Sequence, residues 1–167
     1  GATPRTRPPK GGRRYRVTIA YDGTDLSGWQ AQPEKPTVQG ALEAALKRLT
    51  GEDVRVHSCG RTDAGVHARA QVAHFDTGVR MPADKFAVAM NMHLPPDIRV
   101  LHSEETNLDF HARFSVIEKS YRYTVQTGPH ARVMTRNTAL HVHTPLDIIE
   151  LRAAATALLG RHDFAAF

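Results

Sequence analysis

Between Thr37 and Gly51 the apolar residues Val38, Ala41, Leu42, Ala45, Leu46 and Leu49 recur at three- and four-residue spacing. That stripe is the signature of an amphipathic helix. Thr37 suits its N-cap and Gly51 the residue after its end. A helix with one apolar face has to bury it against another element, and the flanking segments supply strands. Tyr15 to Tyr21 alternates and is rich in β-formers, and Asp22-Gly23-Thr24-Asp25 stops it as a turn. A loop with Gly28, Trp29 and Pro33 follows. Val54 to Ser58 and Ala70 to Phe75 read as two further strands. Pro82 opens a second helix through about Met92, which Leu94-Pro95-Pro96 ends, and Ile98 to Leu101 starts a fourth strand. The order β-α-β-β-α-β predicts a ferredoxin-like unit, an α+β fold with a mainly antiparallel sheet and its helices on one face.

A second cycle then begins. Ser120 to Thr127 reads as a strand with Tyr121, Tyr123 and Val125 on one face, and Ala139 to His143 as another. Thr144-Pro145 opens a helix carrying Leu146, Ile149, Ala153 and Leu158, which Gly160 ends. The expected organisation is a disordered basic tail over 1–14, a ferredoxin-like domain over 15–108, and the incomplete start of a second α/β domain over 109–167.

Charge separates the tail from the body. Arg5, Arg7, Lys10, Arg13 and Arg14 account for the whole net charge of +5. A Pro-, Gly- and Arg-rich tail has little to bury. It reads either as a loose contact to nucleic acid or as a solubilising extension. The body, being neutral overall, is not marked as a nucleic-acid binder by composition. No apolar run approaches the roughly 18 residues of a spanning helix, so no membrane partner is expected. The single cysteine, Cys59, rules out an internal disulfide and suits a reducing cytoplasm.

The densest chemical signal is Cys59-Gly60-Arg61-Thr62-Asp63-Ala64-Gly65-Val66-His67-Ala68. It falls between two predicted strands, and its glycines allow tight turns. Between them lie a guanidinium, a hydroxyl and a carboxylate, with an imidazole just after. Such a loop either presents a site on a rigid sheet or is a polar turn with Asp63 bonded to local amides. Asp22 and Asp25 are either paired carboxylates or turn-formers. His141 and His143 alternate on a strand but lack a third ligand at recognisable spacing, so no metal is expected. Lys119, Tyr121, Arg122 and Tyr123 interleave cations with aromatics, as either a base-stacking surface or a half-buried strand with a charged face.

The run Gly60 to Ala68 closely resembles the TruA family of tRNA pseudouridine synthases. Tyr21-Asp22-Gly23-Thr24-Asp25-Leu26-Ser27-Gly28-Trp29-Gln30 is similar to that family's first motif, with Leu26 where an aromatic is usual. Thr37-Val38-Gln39, then Asn91 with Leu94-Pro95 and Asp97-Ile98, fit in order. Asp109 to Ser115, Lys119 to Tyr123, and Leu159-Gly160 through Asp163-Phe164 and Phe167 complete the resemblance, which covers Tyr15 to Phe167.

The resemblance implies the pseudouridine synthase fold and an isomerase acting on uridines 38, 39 and 40 of the tRNA anticodon stem-loop. No cofactor and no metal are needed. Asp63 matches the catalytic aspartate, in a role that remains open between attack on C1′ and removal of a sugar proton. Tyr121 matches the tyrosine that stacks on the target base, and Arg61 the arginine that holds or flips the nucleotide. Arg122 and His67 are expected among the substrate-binding residues. A homodimer sharing one tRNA is implied as well. The family's second unit is expected to run on past Phe167, with strands that wall the cleft and a basic partner for the carboxylate. On that ground the 167 residues alone are expected to be inactive and to self-associate. The competing readings are a catalytically silent RNA-binding fragment and an unrelated RNA-binding ferredoxin-like module.

Overall fold

The computed structural model describes Pro8 and residues 10–166. The expectations for residues 1–7, for Pro9 and for Phe167 lie outside the described residues. Within them the first unit follows the order β1 (Arg13–Tyr21), α1 (Val38–Thr50), β2 (His57–Ser58), β3 (Ala68–Thr77), α2 (Lys85–Asn91) and β4 (Ile98–Thr106). The sheet runs β2-β3-β1-β4, with every pairing antiparallel. This is the α+β, ferredoxin-like arrangement the sequence pattern predicts.

The α1 stripe behaves as expected. The Thr37 hydroxyl accepts from the Gly40 amide, and Gly51 turns left-handed at φ 75° while donating to the Lys47 carbonyl. Val38, Leu42, Ala45 and Leu46 pack with Phe86 and Met90 of α2 on the sheet face carrying Tyr15, Val17, Ile19, Phe75, Ile98 and Val100. The centre is aromatic, with the Tyr15 and Phe86 rings 4.4 Å apart. Each such side chain contributes roughly 1.5–3 kcal/mol through burial.

Several boundaries move. β1 begins at Arg13, so Arg13 and Arg14 are strand residues rather than tail cations. Arg14 is buried, donating Nε and Nη2 to the Asp76 carboxylate and Nη1 to the carbonyls of Leu108 and Phe110. A carboxylate on the next strand gives the guanidinium a reason to be ordered, which composition does not reveal. β2 is shorter than 54–58, while β3 and β4 are longer than expected. α2 starts at Lys85, whose amide bonds back to the Pro82 carbonyl in a preceding turn.

The segment after β4 folds back over the sheet face opposite the helices. The Phe110 ring lies under the Arg16 guanidinium, and the Ala112 amide donates to His74 Nδ1. His74 is fully buried beside His57 and His111, with ring centroids 5.0 and 4.6 Å away. Burial first, then the charges of Arg14, His57 and His111, push its pKa down to about 3. The chain accordingly divides into compact units at Lys119 and Ser120 rather than at 108 and 109.

The second unit, taken by itself, holds β5 (Val125–Thr127), β6 (Leu140–Val142) and α3 (Ile148–Thr156), with one turn of 3-10 helix at Val133–Thr135. β5 and β6 pair in parallel. Residues 120–124 are not strand, contrary to expectation, because the ladder extends only as far as the short β6. α3 starts at Ile148 instead of Pro145, since the Asp147 carboxylate accepts from the amides of Ile149 and Glu150. None of its residues is buried. Among the described residues no helix is long and apolar enough to cross a membrane.

Candidate functional site

The loop between β2 and β3 is held at both ends by its own strands. The Cys59 amide donates to Val72 and so continues the ladder. The Gly60 carbonyl accepts from Ser58 Oγ at 2.9 Å and Gln71 Nε2 at 2.5 Å, and Cys59 Sγ lies 2.8 Å from Gln71 Oε1. Past this base the loop leans on the turn after β1. The Trp29 amide donates to the Thr62 carbonyl at 2.9 Å, and the Thr62 hydroxyl meets the Tyr21 hydroxyl at 2.7 Å. Burial raises the Tyr21 pKa, so this phenol stays protonated at neutral pH. Farther on, the Gly65 amide donates to the Leu26 carbonyl and the Gly23 amide to His67 Nδ1.

Two glycines make this approach possible. A Cβ on Gly23 would sit 2.1 Å from the Val66 carbonyl oxygen. At Gly28, φ is +87° and a Cβ would lie 2.8 Å from the Thr62 carbonyl oxygen. Within the loop Gly65 takes φ +80°, whereas Gly60 is not left-handed. The chain bends at Gly60 without a left-handed backbone.

The tethers fall on either side of Asp63 and none falls on its carboxylate. Asp63 is exposed, its backbone carbonyl accepts from the Val66 amide, and its side chain has no hydrogen-bond partner among the described residues. The alternative in which Asp63 merely caps local amides therefore has no bond to support it. Asp22 does play that part. It accepts from the Thr24 amide and hydroxyl, which hold its carboxyl below the usual carboxylate range.

Arg61 is exposed and donates to Gln30 Oε1 at 2.9 Å. His67 Nδ1 also lies 3.1 Å from Asp22 Oδ1, a contact that needs a proton on the nitrogen. A backbone amide can only donate, so the Gly23 bond fixes Nδ1 as acceptor in the neutral ring, and the Asp22 contact becomes an ion pair only in the imidazolium. His67 thus links the Asp63 loop to the turn at residues 22–24. Arg61, Asp63 and His67 share one loop. Tyr121 and Arg122 belong to the second unit, where both are exposed, Tyr121 at 72%. There His141 Nε2 bonds to the Gly128 carbonyl. Among the described residues no three His, Cys, Asp or Glu side chains are grouped to hold a metal ion.

Sequence reading found the loop and missed its cradle. Tyr21, Gly23, Gly28 and Trp29 read as a strand end and an ordinary turn, and Gln71 as one residue of a strand. Their contacts with the loop bridge tens of residues, which no local pattern encodes. The signal at hand was the resemblance of Tyr21 to Gln30 to the family's first motif, which marks the segment without saying what it touches.

A family model described as "tRNA pseudouridine synthase" matches residues 17–115, the span that contains this loop and its cradle. The chain is 51% identical over 155 residues to a tRNA pseudouridine synthase A of Brevibacillus brevis, covering 93% of this chain and 64% of that protein. It is 49% identical over 156 residues to a protein of the same name from Halalkalibacterium halodurans, covering 93% and 59%. To the one from Neisseria meningitidis serogroup C it is 44% identical over 156 residues, again 93% and 59%. The chain thus spans about three fifths of the length of the curated relatives it matches.

Proposed function

Because this chain belongs to the tRNA pseudouridine synthase family, we propose that the whole protein carrying these residues isomerises uridine to pseudouridine in tRNA, with Asp63 as the catalytic carboxylate. The observation that carries the assignment to Asp63 is the held backbone around an unengaged carboxylate on the 59–67 loop. The finer target is the anticodon stem-loop, at uridines 38, 39 and 40. The N1–C1′ bond breaks and C5 bonds to C1′, while C5 loses its proton to solvent and N1 gains one. The reaction is redox-neutral, and the proposal uses no cofactor and no metal.

Asp63 acts beside the sugar, by attack on C1′ or by taking a sugar proton. Both roles need an ionised oxygen in a fixed place. The reacting atoms of a stacked stem are out of reach, so the target nucleotide has to leave the stack. Arg61, on the same loop, holds it in this proposal by its phosphate or base. Tyr121 offers a ring for stacking, Arg122 a neighbouring cation, and His67 an imidazole on the Asp63 loop. A cytoplasmic homodimer that shares one tRNA completes the proposal.

The test is Asp63→Asn in the whole protein, followed by tritium release from C5-labelled uridine in tRNA. The amide keeps the shape and loses basicity and nucleophilicity. Turnover should vanish while tRNA binding stays within a few-fold. Near-wild-type product formation would remove Asp63 from the mechanism.

A further inference from the structure

At the base of the loop, beside Gly60, lies one of the cations that the sequence interleaves with Tyr121 and Tyr123. The Lys119 ammonium fills the space that a side chain at position 60 would occupy. A Cβ on Gly60 would lie 3.0 Å from Nζ and 3.7 Å from Cε. Gly60 is not left-handed, so its conformation does not call for glycine, and the lysine's far end is what a side chain there would meet first. The Gly60 carbonyl already accepts two hydrogen bonds, from Ser58 and Gln71, which fill both of its lone pairs. The lysine is thus close to the loop without being consumed by it.

Its charge is also uncompensated. Some cations of the first unit rest on carboxylates, Arg13 on Glu105, Arg14 on Asp76, Arg16 on Glu104 and Lys47 on Asp53, while Arg99 turns to the carbonyls of Pro95 and Ile98. Lys119 is exposed and pairs with no carboxylate among the described residues. Arg61, the residue after Gly60, rests on the neutral amide of Gln30. Two positive charges therefore flank one stretch of backbone, two residues before Asp63. Charge of this kind attracts an anion, and on RNA the anion is the backbone phosphate. An ammonium is a compact point charge, suited to a phosphate oxygen more than to the patterned edge of a base.

We propose that Lys119 grips a backbone phosphate of the substrate RNA beside the Asp63 loop, in the space left by the missing side chain of Gly60. The inference rests on the function proposed above and adds a substrate-binding residue to it. Lys119 fixes where the strand enters and takes no part in bond making.

The experiment measures binding of a labelled anticodon stem-loop RNA to the whole protein by fluorescence anisotropy, as a function of salt. One phosphate contact contributes about 0.7–0.9 to the slope of log K against log salt, equivalent to about 5- to 8-fold in affinity near 0.1 M salt. Lys119→Met should lose that increment in both slope and affinity, with the single-turnover rate at saturating RNA unchanged. Lys119→Arg should keep the slope, because the charge remains. Lys47→Met, which removes a cation already paired with Asp53, should behave as wild type. A Lys119→Met protein with the wild-type slope, or one whose rate at saturation falls while binding holds, would overturn the proposal. Pseudouridine is scored separately. Its absence from the wild-type protein, with the Lys119 increment intact, would count against the proposed function and not against the phosphate contact.

Discussion

Gly23→Ala should damage the candidate site more than its size suggests. A Cβ at this position would stand 2.1 Å from the Val66 carbonyl oxygen and 2.7 Å from its carbon. A close carbon–oxygen contact is about 3.3 Å, so one of the two backbone segments has to move by roughly 1 Å. Neither side offers a rotatable group that could yield. The loop is also fixed just before Asp63, where Thr62 is bonded to Trp29 and Tyr21. The shift must therefore concentrate in residues 63–67. The Val66 amide carries it to the Asp63 carbonyl, and His67 stands to lose its bond from the Gly23 amide. A misplacement of about 1 Å can lower a rate roughly 100-fold, and overpacking costs about 1–3 kcal/mol of stability. Single-turnover tritium release at saturating tRNA, with a thermal melt of the same sample, reads both numbers. Gly51→Ala is the control: it strains a left-handed position, at φ 75°, with nothing within 4 Å of the new Cβ. It should lose stability and keep its rate. A Gly23→Ala enzyme that turns over like wild type would show that the cradle does not set the position of Asp63.

Further expectations follow from the same geometry. Tyr121→Ala should lower turnover more than binding, by the roughly 1–3 kcal/mol of a base–aromatic stack, and Tyr121→Phe should keep most of it; equal loss in both would point to the hydroxyl instead. Arg14→Met leaves the half-buried Asp76 without its cation and should cost up to about 3–5 kcal/mol in urea unfolding; a loss below about 1 kcal/mol would mean that the pair is solvated. His74 titrates at about 3 in the folded chain, below the roughly 6.5 of an unfolded histidine. Between those values unfolding takes up a proton, so its contribution is complete above pH 6.5 and is lost as the pH falls. The slope should approach about 1.4 kcal/mol per pH unit, and His74→Phe should flatten it; an unchanged pH dependence in that variant would remove His74 as the cause.

The fold was legible where a local rule and the tertiary partner agreed. α1 carries a stripe, an N-cap and a left-handed stop in one window, and all three are realised. The sequence marks only Ile98 to Leu101 as the start of β4, yet the strand runs on through the polar Ser103-Glu104-Glu105-Thr106. It does so because Arg16 and Arg13 on β1 meet Glu104 and Glu105 across the ladder. Arg14 was lost to a tail for a similar reason, since only the partner strand supplies Asp76. Ser120 to Thr124 erred the other way. Its alternation fits a strand, but a strand needs a neighbour to satisfy its backbone groups, and β6 spans only Leu140–Val142. The loop at 59–67 was legible from the crowding of functional groups between two strands. Its supports at Gly23, Gly28 and Gln71 were not, since a close approach between distant segments leaves no periodicity.

Tethers and chemistry are kept apart on this loop. Hydrogen bonds reach residues 60, 62, 65 and 67 from strands and from the 21–30 turn. A carboxylate that accepted the same amides would be equally well held. Each of those bonds would also stabilise its charged form, and thereby weaken it as a base or nucleophile toward a sugar carbon or proton. By holding the backbone instead, the loop places the Asp63 oxygens without engaging them. The fold's contribution at this residue is then mainly position, which is the quantity that Gly23→Ala alters and Asp63→Asn leaves alone. The two variants should consequently fail differently. Asp63→Asn should retain the wild-type melting temperature and lose the chemistry, whereas Gly23→Ala should lose part of each.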